Sequence, residues 1–112
     1  MKLIRCTVQP SQVDEIVDAL KPTCVLDLTV TGGGRWHPDQ QARQYVCRGV
    51  EYQAGLIPEA IIDITVPNDA VEEIVGVVLD RCRSGVNGDD GRINVMSVDE
   101  SYTIRSRQRR IG

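Results

Sequence analysis

Val13-Asp14-Glu15-Ile16-Val17 returns almost unchanged in the second half of the chain as Val71-Glu72-Glu73-Ile74-Val75. In both copies the apolar residues recur three and four positions apart, which places them on one stripe of an amphipathic helix. Each copy also follows a β-prone stretch that ends in valine, with a proline within the next two residues. The sequence therefore predicts two similar strand–helix units, one after the other.

Four β-prone segments accompany these helices. They alternate or are rich in β-branched residues, and they are Lys2–Val8, Val25–Thr31, Ala60–Val66 and Arg92–Val98. The order strand, helix, strand, strand, helix, strand predicts an α+β fold, the ferredoxin-like βαββαβ plait, whose helices cover one face of an antiparallel sheet. Because Ala60–Val66 is so apolar, we expect another subunit to cover the opposite face and the protein to be a homo-oligomer.

Composition narrows the classes of function. The 112 residues are expected to form one domain with an aliphatic core, since the chain contains no Phe. A net charge of −3 argues against a nucleic-acid partner. We expect no membrane insertion, because no apolar run approaches the length of a membrane span. The N-terminus lacks the apolar core of a signal peptide, so a cytoplasmic location is expected.

The four cysteines form no C-x-x-C pair, so neither a zinc knuckle nor a thioredoxin-like motif is predicted. Cys6, Cys24 and Cys82 fall in apolar-periodic segments and are expected to be reduced core residues. Cys47 falls in the long polar segment that follows the second strand, which makes it the one candidate for a reactive thiol.

That segment, Gly32–Pro58, keeps neither a helical nor a strand period. It contains the only Trp and the only His of the chain, Trp36 and His37. Structureless connections longer than about 12–15 residues are uncommon in compact domains and are often functional. We therefore expect a functional loop. His37 has no partner at metal-ligand spacing, and no nucleophile–base set is found in the chain, so no catalytic residue is assigned.

Two glycine-rich stretches are candidates for anion binding. In Ser84–Arg92, three glycines allow backbone N–H groups to converge on a phosphate, and Arg92 is suited to bidentate phosphate contact. The alternative is a turn that uses glycine only for positive φ. Gly32–Gly34, followed by Arg35, is either a similar anion nest or a flexible loop root.

The chain ends in a group of arginines. Arg107, Arg109 and Arg110 are expected to lie in a solvated or disordered tail. Arg105 follows Ile104 and is closer to the last predicted strand, so it is the better candidate for a ligand contact.

Together, these motifs resemble those of the nitrogen-regulatory PII signalling family. The resemblance covers essentially the whole chain, and it is carried by the opening MKLI, the strand VLDLTVT, Arg48-Gly49-Val50-Glu51-Tyr52, Pro58, Gly88-Asp89-Asp90-Gly91-Arg92 and Ile104-Arg105. It implies a homotrimer of plaits with three nucleotide sites in the clefts between subunits. It also implies a T-loop (32–58) that contacts the regulated partner, a B-loop (84–92) that holds phosphates, and a C-terminal tail (99–112).

The resemblance also implies roles for individual residues. The residues expected to bind an adenine nucleotide, with Arg105 reaching it from the next subunit, are Thr29, Gly33, Gly34, Arg35, Asp63, Thr65, Gly88, Asp89, Gly91, Arg92 and Arg105. Tyr52 matches a tyrosine that is uridylylated in some members.

Departures from the family pattern shape the expected ligands. Members that sense 2-oxoglutarate have Lys and Gln where this chain has Glu59 and Trp36, so a carboxylate would meet repulsion. Val86 and Thr103 replace basic residues near the phosphates. We expect no 2-oxoglutarate response and a preference for ADP or AMP over ATP. The chain resembles divergent members associated with inorganic-carbon uptake and carboxysomes, so bicarbonate, held by Arg35, is a candidate effector.

The leading interpretation is a regulator whose T-loop docks on a membrane transporter or metabolic enzyme. The alternatives are a conventional nitrogen-regulatory PII protein that controls ammonium transport or nitrogen assimilation, and a slow ATPase. An RNA-binding plait is disfavoured because strands Leu3–Val8 and Ala60–Val66 lack the aromatics it needs. A metal-binding trimer is disfavoured by the scattered Cys residues and single His.

Overall fold

The computed structural model describes residues 1–36, 45–47, 50–52, 56–82 and 91–112, with only the backbone described for 45–47 and 50–52. Its helices are α1 (Val13–Leu20) and α2 (Val71–Arg81). Its strands are β1 (Lys2–Val8), β2 (Asp27–Arg35), β3 (Tyr45–Cys47), β4 (Val50–Tyr52), β5 (Ile57–Val66), β6 (Arg92–Ser97), β7 (Glu100–Tyr102) and β8 (Arg109–Ile111).

Four of these strands form one antiparallel sheet in the order β2-β5-β1-β6. β1 lies inside the sheet, because Ile4 is opposite Ile64 of β5 on one side and Val95 of β6 on the other. β2 is bonded to the free side of β5, with Thr29 opposite Asp63. This order, with two helices, is the predicted ferredoxin-like plait, and the α+β fold is confirmed.

The core lies between the helices and one face of the sheet. Every second residue of β1 and β5 is buried there, as strand alternation requires, together with residues from each helix: Ile4, Cys6, Val8, Ile16, Leu20, Ala60, Ile62, Ile64, Val66, Ile74 and Val78. Full burial of an aliphatic side chain of this size stabilises the folded state by roughly 1.5–3 kcal/mol. These aliphatic side chains therefore contribute substantially to the stability of the fold without any Phe.

A short 3-10 turn precedes each helix and belongs to the repeat. Pro10–Gln12 leads into α1, and Asn68–Ala70 leads into α2. The amide of Gln12 donates to the Gln9 carbonyl at 2.9 Å, and the amide of Ala70 donates to the Pro67 carbonyl at 3.1 Å. Pro10 is the first residue of the first turn, whereas Pro67 precedes the second turn and accepts its closing hydrogen bond.

The sheet face away from the helices is called the open face here. It carries the alternate residues of the four strands, which the register aligns in three rows: Asp27, Thr65, Leu3 and Met96; Thr29, Asp63, Arg5 and Asn94; Thr31, Ile61, Thr7 and Arg92. The face is mostly polar. The apolar residues of 60–66 that suggested a covering subunit are mainly taken up by the helices, so that reason for expecting an oligomer does not hold.

β2 continues past its predicted end at Thr31. Gly32–Gly34 and Arg35 are in strand conformation, and they pair with the residues from Ala60 back to Ile57. The three glycines therefore form neither the expected anion nest nor a flexible loop root. Because β1 ends opposite Ala60, this part of the sheet is a two-stranded ribbon.

Two hairpins complete the described structure. β3 and β4 pair within the segment expected to be a loop without strands, with Tyr45 opposite Tyr52. β7 and β8 form a hairpin from the predicted tail, closed by the amide of Thr103 donating to the Gln108 carbonyl at 2.9 Å.

Cys6 and Cys82 are buried as predicted, whereas Cys24 is exposed and the expectation that it fills the core is wrong. No helix in the described part of the chain is long and apolar enough to cross a membrane.

Candidate functional site

The open face carries most of the described residues that the sequence singled out. Strand alternation and register place Thr29, Asp63 and Thr65 on it, together with Arg35 and Arg92. Gly34 falls on the other face of β2. Gly88 and Asp89 lie outside the described residues.

Asp63 is engaged by a residue that the sequence analysis had not considered. Arg5 donates to it twice, from Nε to Oδ1 at 2.8 Å and from Nη2 to Oδ2 at 3.1 Å. This two-point contact raises the pKa of Arg5, through the hydrogen bond first and the charge second. The pair marks the centre of the open face. Asp63 can therefore meet a ligand only with Arg5 beside it.

The ribbon beyond β1 holds a second pair. Arg35 Nη1 lies 3.3 Å from Glu59 Oε1, and the two side chains are only 15% and 12% exposed. Glu59 stands opposite Gly33, and Arg35 stands opposite Ile57, so the contact is diagonal across the strands. Gly33 has no side chain to stand opposite Glu59. Local sequence patterns single out Arg35 and Glu59 separately and carry no sign of this contact.

Gly91 occupies a position where only glycine fits. Its φ is +95°, and an added Cβ would lie 1.8 Å from the carbonyl oxygen of Thr7. The neighbouring Arg92 begins β6 opposite Thr7 and is exposed. Glycine at this position allows the backbone to pass in close contact with β1. The side chain of the next residue, Arg92, is exposed to solvent.

The C-terminal hairpin and the sheet enclose a cleft of about 1010 Å³. Thr65 and Arg105 both line it. So do Asp27 and the hairpin arginines Arg109 and Arg110. Sequence analysis placed these last two in a solvated or disordered tail. They are exposed, but they belong to an ordered hairpin in which Arg109 Nε contacts Glu100 Oε2 at 3.1 Å. The opposite charges of Glu100 and Arg109 are the feature of the sequence from which this hairpin could have been predicted.

Apart from Thr29 and Asp63 in the central row, the described candidates lie towards two ends of the sheet. Thr65 and Arg105 form what is called here the hairpin-end group. Arg35, Gly91 and Arg92 form the loop-end group. Thr65 and Glu59 are six positions apart on β5, which is about 20 Å at ~3.3 Å per residue, whereas Arg92 lies in the row of Ile61, four positions or about 13 Å from Thr65. The described candidate residues are therefore spread along the open face rather than gathered at one point.

The buried thiol of Cys6 is not an evident nucleophile. Burial raises the pKa of the Cys6 thiol to about 12, with the nearby Cys82 and Asp63 adding to the shift, so Cys6 is not a thiolate at neutral pH. Within the ranges described above, no three His, Cys, Asp or Glu residues are grouped to hold a metal ion.

Comparison with known proteins agrees with this geometry. The family model described as "Nitrogen regulatory protein P-II" matches residues 1–108. The "Nitrogen regulatory protein P-II" of Rhizobium etli is 32% identical over 109 residues, covering 95% of this chain and 93% of the relative. The "Nitrogen regulatory protein P-II 1" of Escherichia coli K12 gives the same figures.

A third relative comes from an archaeon. The "Nitrogen fixation nifHD region glnB-like protein 1" of Methanococcus maripaludis is 33% identical over 110 residues, which is 96% of each chain. The likeness thus spans strands, helices and both glycine-rich stretches rather than one motif. With the plait topology confirmed and the family matched from the first residue into the C-terminal hairpin, this chain belongs to the nitrogen regulatory protein P-II family.

Proposed function

We propose that this chain is one subunit of a trimeric signal-transduction protein that binds an adenine nucleotide between neighbouring copies and regulates a partner through residues 32–58. Trimers are typical of the family. The observation that carries the proposal is the separation of Arg92 from the cleft that Thr65 and Arg105 line: Arg92 lies in the row of Ile61, about 13 Å along β5 from Thr65. A nucleotide held by both groups needs the hairpin end of one copy beside the loop end of the next.

The chemistry of the two ends suits the parts of a nucleotide. Arg92 and Arg105 are exposed cations for phosphate oxygens, and Gly91 lets the backbone approach closely without a side chain in the way. Thr65 and the Arg5–Asp63 pair supply polar groups for the base and ribose. The hairpin cleft of about 1010 Å³ is at the upper end of the usual size for small-molecule sites, roughly 300–1,000 Å³.

The ligand preference follows from charge. Val86 and Thr103 stand where basic residues are usual in the family, so a triphosphate meets less positive charge than it requires. ADP and AMP are therefore proposed to bind more tightly than ATP, in the cytoplasm and without a resident metal ion. Glu59 occupies the loop root with a negative charge, so 2-oxoglutarate is proposed not to strengthen nucleotide binding.

Nitrogen regulation is the second candidate function, and the relatives named above favour it. "Nitrogen regulatory protein" and "nitrogen fixation" appear in their names. A conventional nitrogen sensor of this family would bind Mg-ATP more tightly with 2-oxoglutarate present. Calorimetric titration of AMP, ADP and ATP, each with and without 2-oxoglutarate or bicarbonate, separates the two candidates. If 2-oxoglutarate strengthens the binding of ATP, the result supports the conventional nitrogen-sensing role.

A mixing experiment tests whether the site is shared between copies. Arg92→Ser removes the loop-end cation, and Arg105→Ser removes the hairpin-end cation; both side chains are exposed, so folding should survive. Each homogeneous variant should lose most nucleotide affinity. After co-refolding in equal amounts, random trimers should regain about one quarter of the sites, because one quarter of the interfaces join two intact ends.

The number of sites distinguishes the outcomes. Calorimetry of the mixture should give about one quarter of the wild-type stoichiometry at near wild-type affinity. The matched control is a mixture of Arg92→Ser with itself after the same refolding, which should bind nothing tightly. If the mixture also binds nothing tightly, both arginines act within one chain and the shared site is wrong.

A further inference from the structure

We propose that Arg105 and Arg110 of one chain together hold the two phosphate groups of a nucleoside diphosphate in the hairpin cleft, and that Arg110 is the residue that favours ADP over AMP. The inference rests on the proposed function, because it concerns the same nucleotide. Arg110 lies beyond residues 1–108, which the family model matches. The family likeness therefore assigns it no role.

The hairpin arginines differ in whether a carboxylate already neutralises them. Arg109 Nε contacts Glu100 Oε2 at 3.1 Å. For Arg105 and Arg110, by contrast, no carboxylate lies within ion-pair distance in the described part of the chain. An arginine side chain carries five N–H donors and no acceptor. These two guanidinium groups therefore keep their donors available for the oxygens of an anion.

The register of the hairpin explains why Arg110 keeps its charge uncompensated. Arg110 stands directly opposite Ser101, and Arg109 stands opposite Tyr102. Because neighbouring residues of a strand point to opposite faces, Arg110 lies on the face of Ser101. Arg109 lies on the other face, where Glu100 also lies. The Glu100 carboxylate is thus held away from Arg110 and neutralises Arg109 alone.

The lining of the hairpin cleft has the charge and the donors for phosphate. Arg105, in the connection 104–107, and Arg110, in β8, both line it, and Asp27 is the one carboxylate that lines it among the described residues. The lining therefore keeps an excess of positive charge. Each guanidinium offers a planar fork of donors that can bind one phosphate group with two hydrogen bonds. Two forks match the two phosphate groups of a diphosphate, whereas a monophosphate has one group for both.

Calorimetric titration of ADP and AMP measures the contribution of Arg110. Arg110→Gln removes one cation from an exposed side chain and should weaken ADP binding by about tenfold, the lower end of the range for a charge-assisted hydrogen bond. AMP should lose much less affinity, so the ratio of the ADP and AMP affinities should fall. Arg110→Lys keeps the charge but not the fork, and its ratio should lie between those of the wild-type chain and Arg110→Gln.

Two further variants isolate the cause. Arg107→Gln is the matched control: it removes the same charge from the same hairpin, but of the arginines in the described hairpin Arg107 alone does not line the cleft. It should leave the affinity ratio unchanged. Ser101→Asp tests Arg110 without replacing it, because it places a carboxylate directly across the hairpin. It should lower the ratio as Arg110→Gln does, and it decides the question if Arg110→Gln does not fold.

Inorganic pyrophosphate separates this inference from the proposed function. Its binding, followed by phosphorus NMR, should weaken in Arg110→Gln as ADP binding does. If ADP binds but the affinity ratio is unchanged in Arg110→Gln and Ser101→Asp, or falls equally in Arg107→Gln, the inference is overturned and the proposed function stands. If pyrophosphate binds through Arg110 but no adenine nucleotide binds, the proposed function is overturned and the phosphate site stands. Binding of neither overturns both.

Discussion

Gly91→Ala should destabilise the fold more than any other glycine-to-alanine change at the described positions inside the plait. The native φ of +95° lies in the region that costs an L-residue roughly 1–2 kcal/mol. The added Cβ would lie 1.8 Å from the Thr7 carbonyl oxygen, whereas real Cβ contacts stay beyond about 3 Å. The backbone at one of the two positions must therefore move by more than an ångström.

The backbone cannot move by this distance without breaking hydrogen bonds of the sheet. Thr7 lies in β1, which is bonded to β5 and β6 on its two sides, and Arg92 is its partner in β6. Loss of one or two ladder hydrogen bonds adds about 0.5–1.5 kcal/mol each. The expected total is about 3 kcal/mol, a large part of the 5–15 kcal/mol that stabilises a typical domain.

Urea unfolding at one fixed protein concentration measures this loss. Gly76→Ala is the matched control, because Gly76 lies in α2 and an added Cβ there meets nothing within 4 Å. That change should stabilise the fold by about 0.5–1 kcal/mol through helix propensity. If Gly91→Ala unfolds within 0.5 kcal/mol of the wild-type chain, the close approach to Thr7 is not a real constraint.

Three further predictions concern charge and thiols. Native alkylation at pH 8 should modify exposed Cys24 and spare buried Cys6 and Cys82, as peptide mass spectrometry would show; labelling of Cys6 at the same rate as Cys24 contradicts the fold. In the folded chain the pKa of the Cys6 thiol is raised from 9.0 to about 12. The stabilising contribution of the buried, protonated thiol is therefore complete below pH 9 and is lost as pH rises towards 12. The free energy of unfolding should therefore fall over that range by up to ~1.4 kcal/mol per pH unit, and Cys6→Ala should flatten the fall; equal slopes would refute the assignment. Arg5→Asp should lower the melting temperature, because it places two carboxylates opposite each other. The double variant Arg5→Asp/Asp63→Arg should restore the melting temperature. If it does not, the Arg5–Asp63 ion pair does not determine the stability at this position.

Local patterns predicted the elements that form the core. β1 was predicted with both ends correct, and the helical stripes of α1 and α2 contain the buried Ile16 and Ile74. These features depend on alternation and on a 3.6-residue period, which the sequence carries directly.

The ribbon at the end of β2 could not be predicted in this way. Three consecutive glycines have low strand propensity, so the pattern gave no reason to extend β2 past Thr31. Pairing with β5 decides their conformation, and the Arg35–Glu59 contact lies at that extension. Both are tertiary effects between segments more than twenty residues apart in the chain.

The candidate site was predicted as a set of residues but not as an arrangement. The resemblance named Thr65, Arg92 and Arg105 as nucleotide-binding residues, and their positions relative to one another emerge only from the strand register and the hairpin cleft. The partners Arg5 and Glu59 were missed as partners because a contact across strands leaves no trace in local spacing.

The internal repeat explains why Arg5 and Asp63 meet. The alignment that matches Val13 with Val71 also matches Arg5 with Asp63, and in the sheet these two equivalent residues stand directly opposite each other. They therefore lie on the approximate two-fold axis that relates the two halves of the plait. A repeat with the same charged residue in both halves would place like charges face to face there. The two halves of the repeat can share the same helices and core. At this axis, however, a stable open face requires residues of opposite charge in the two halves.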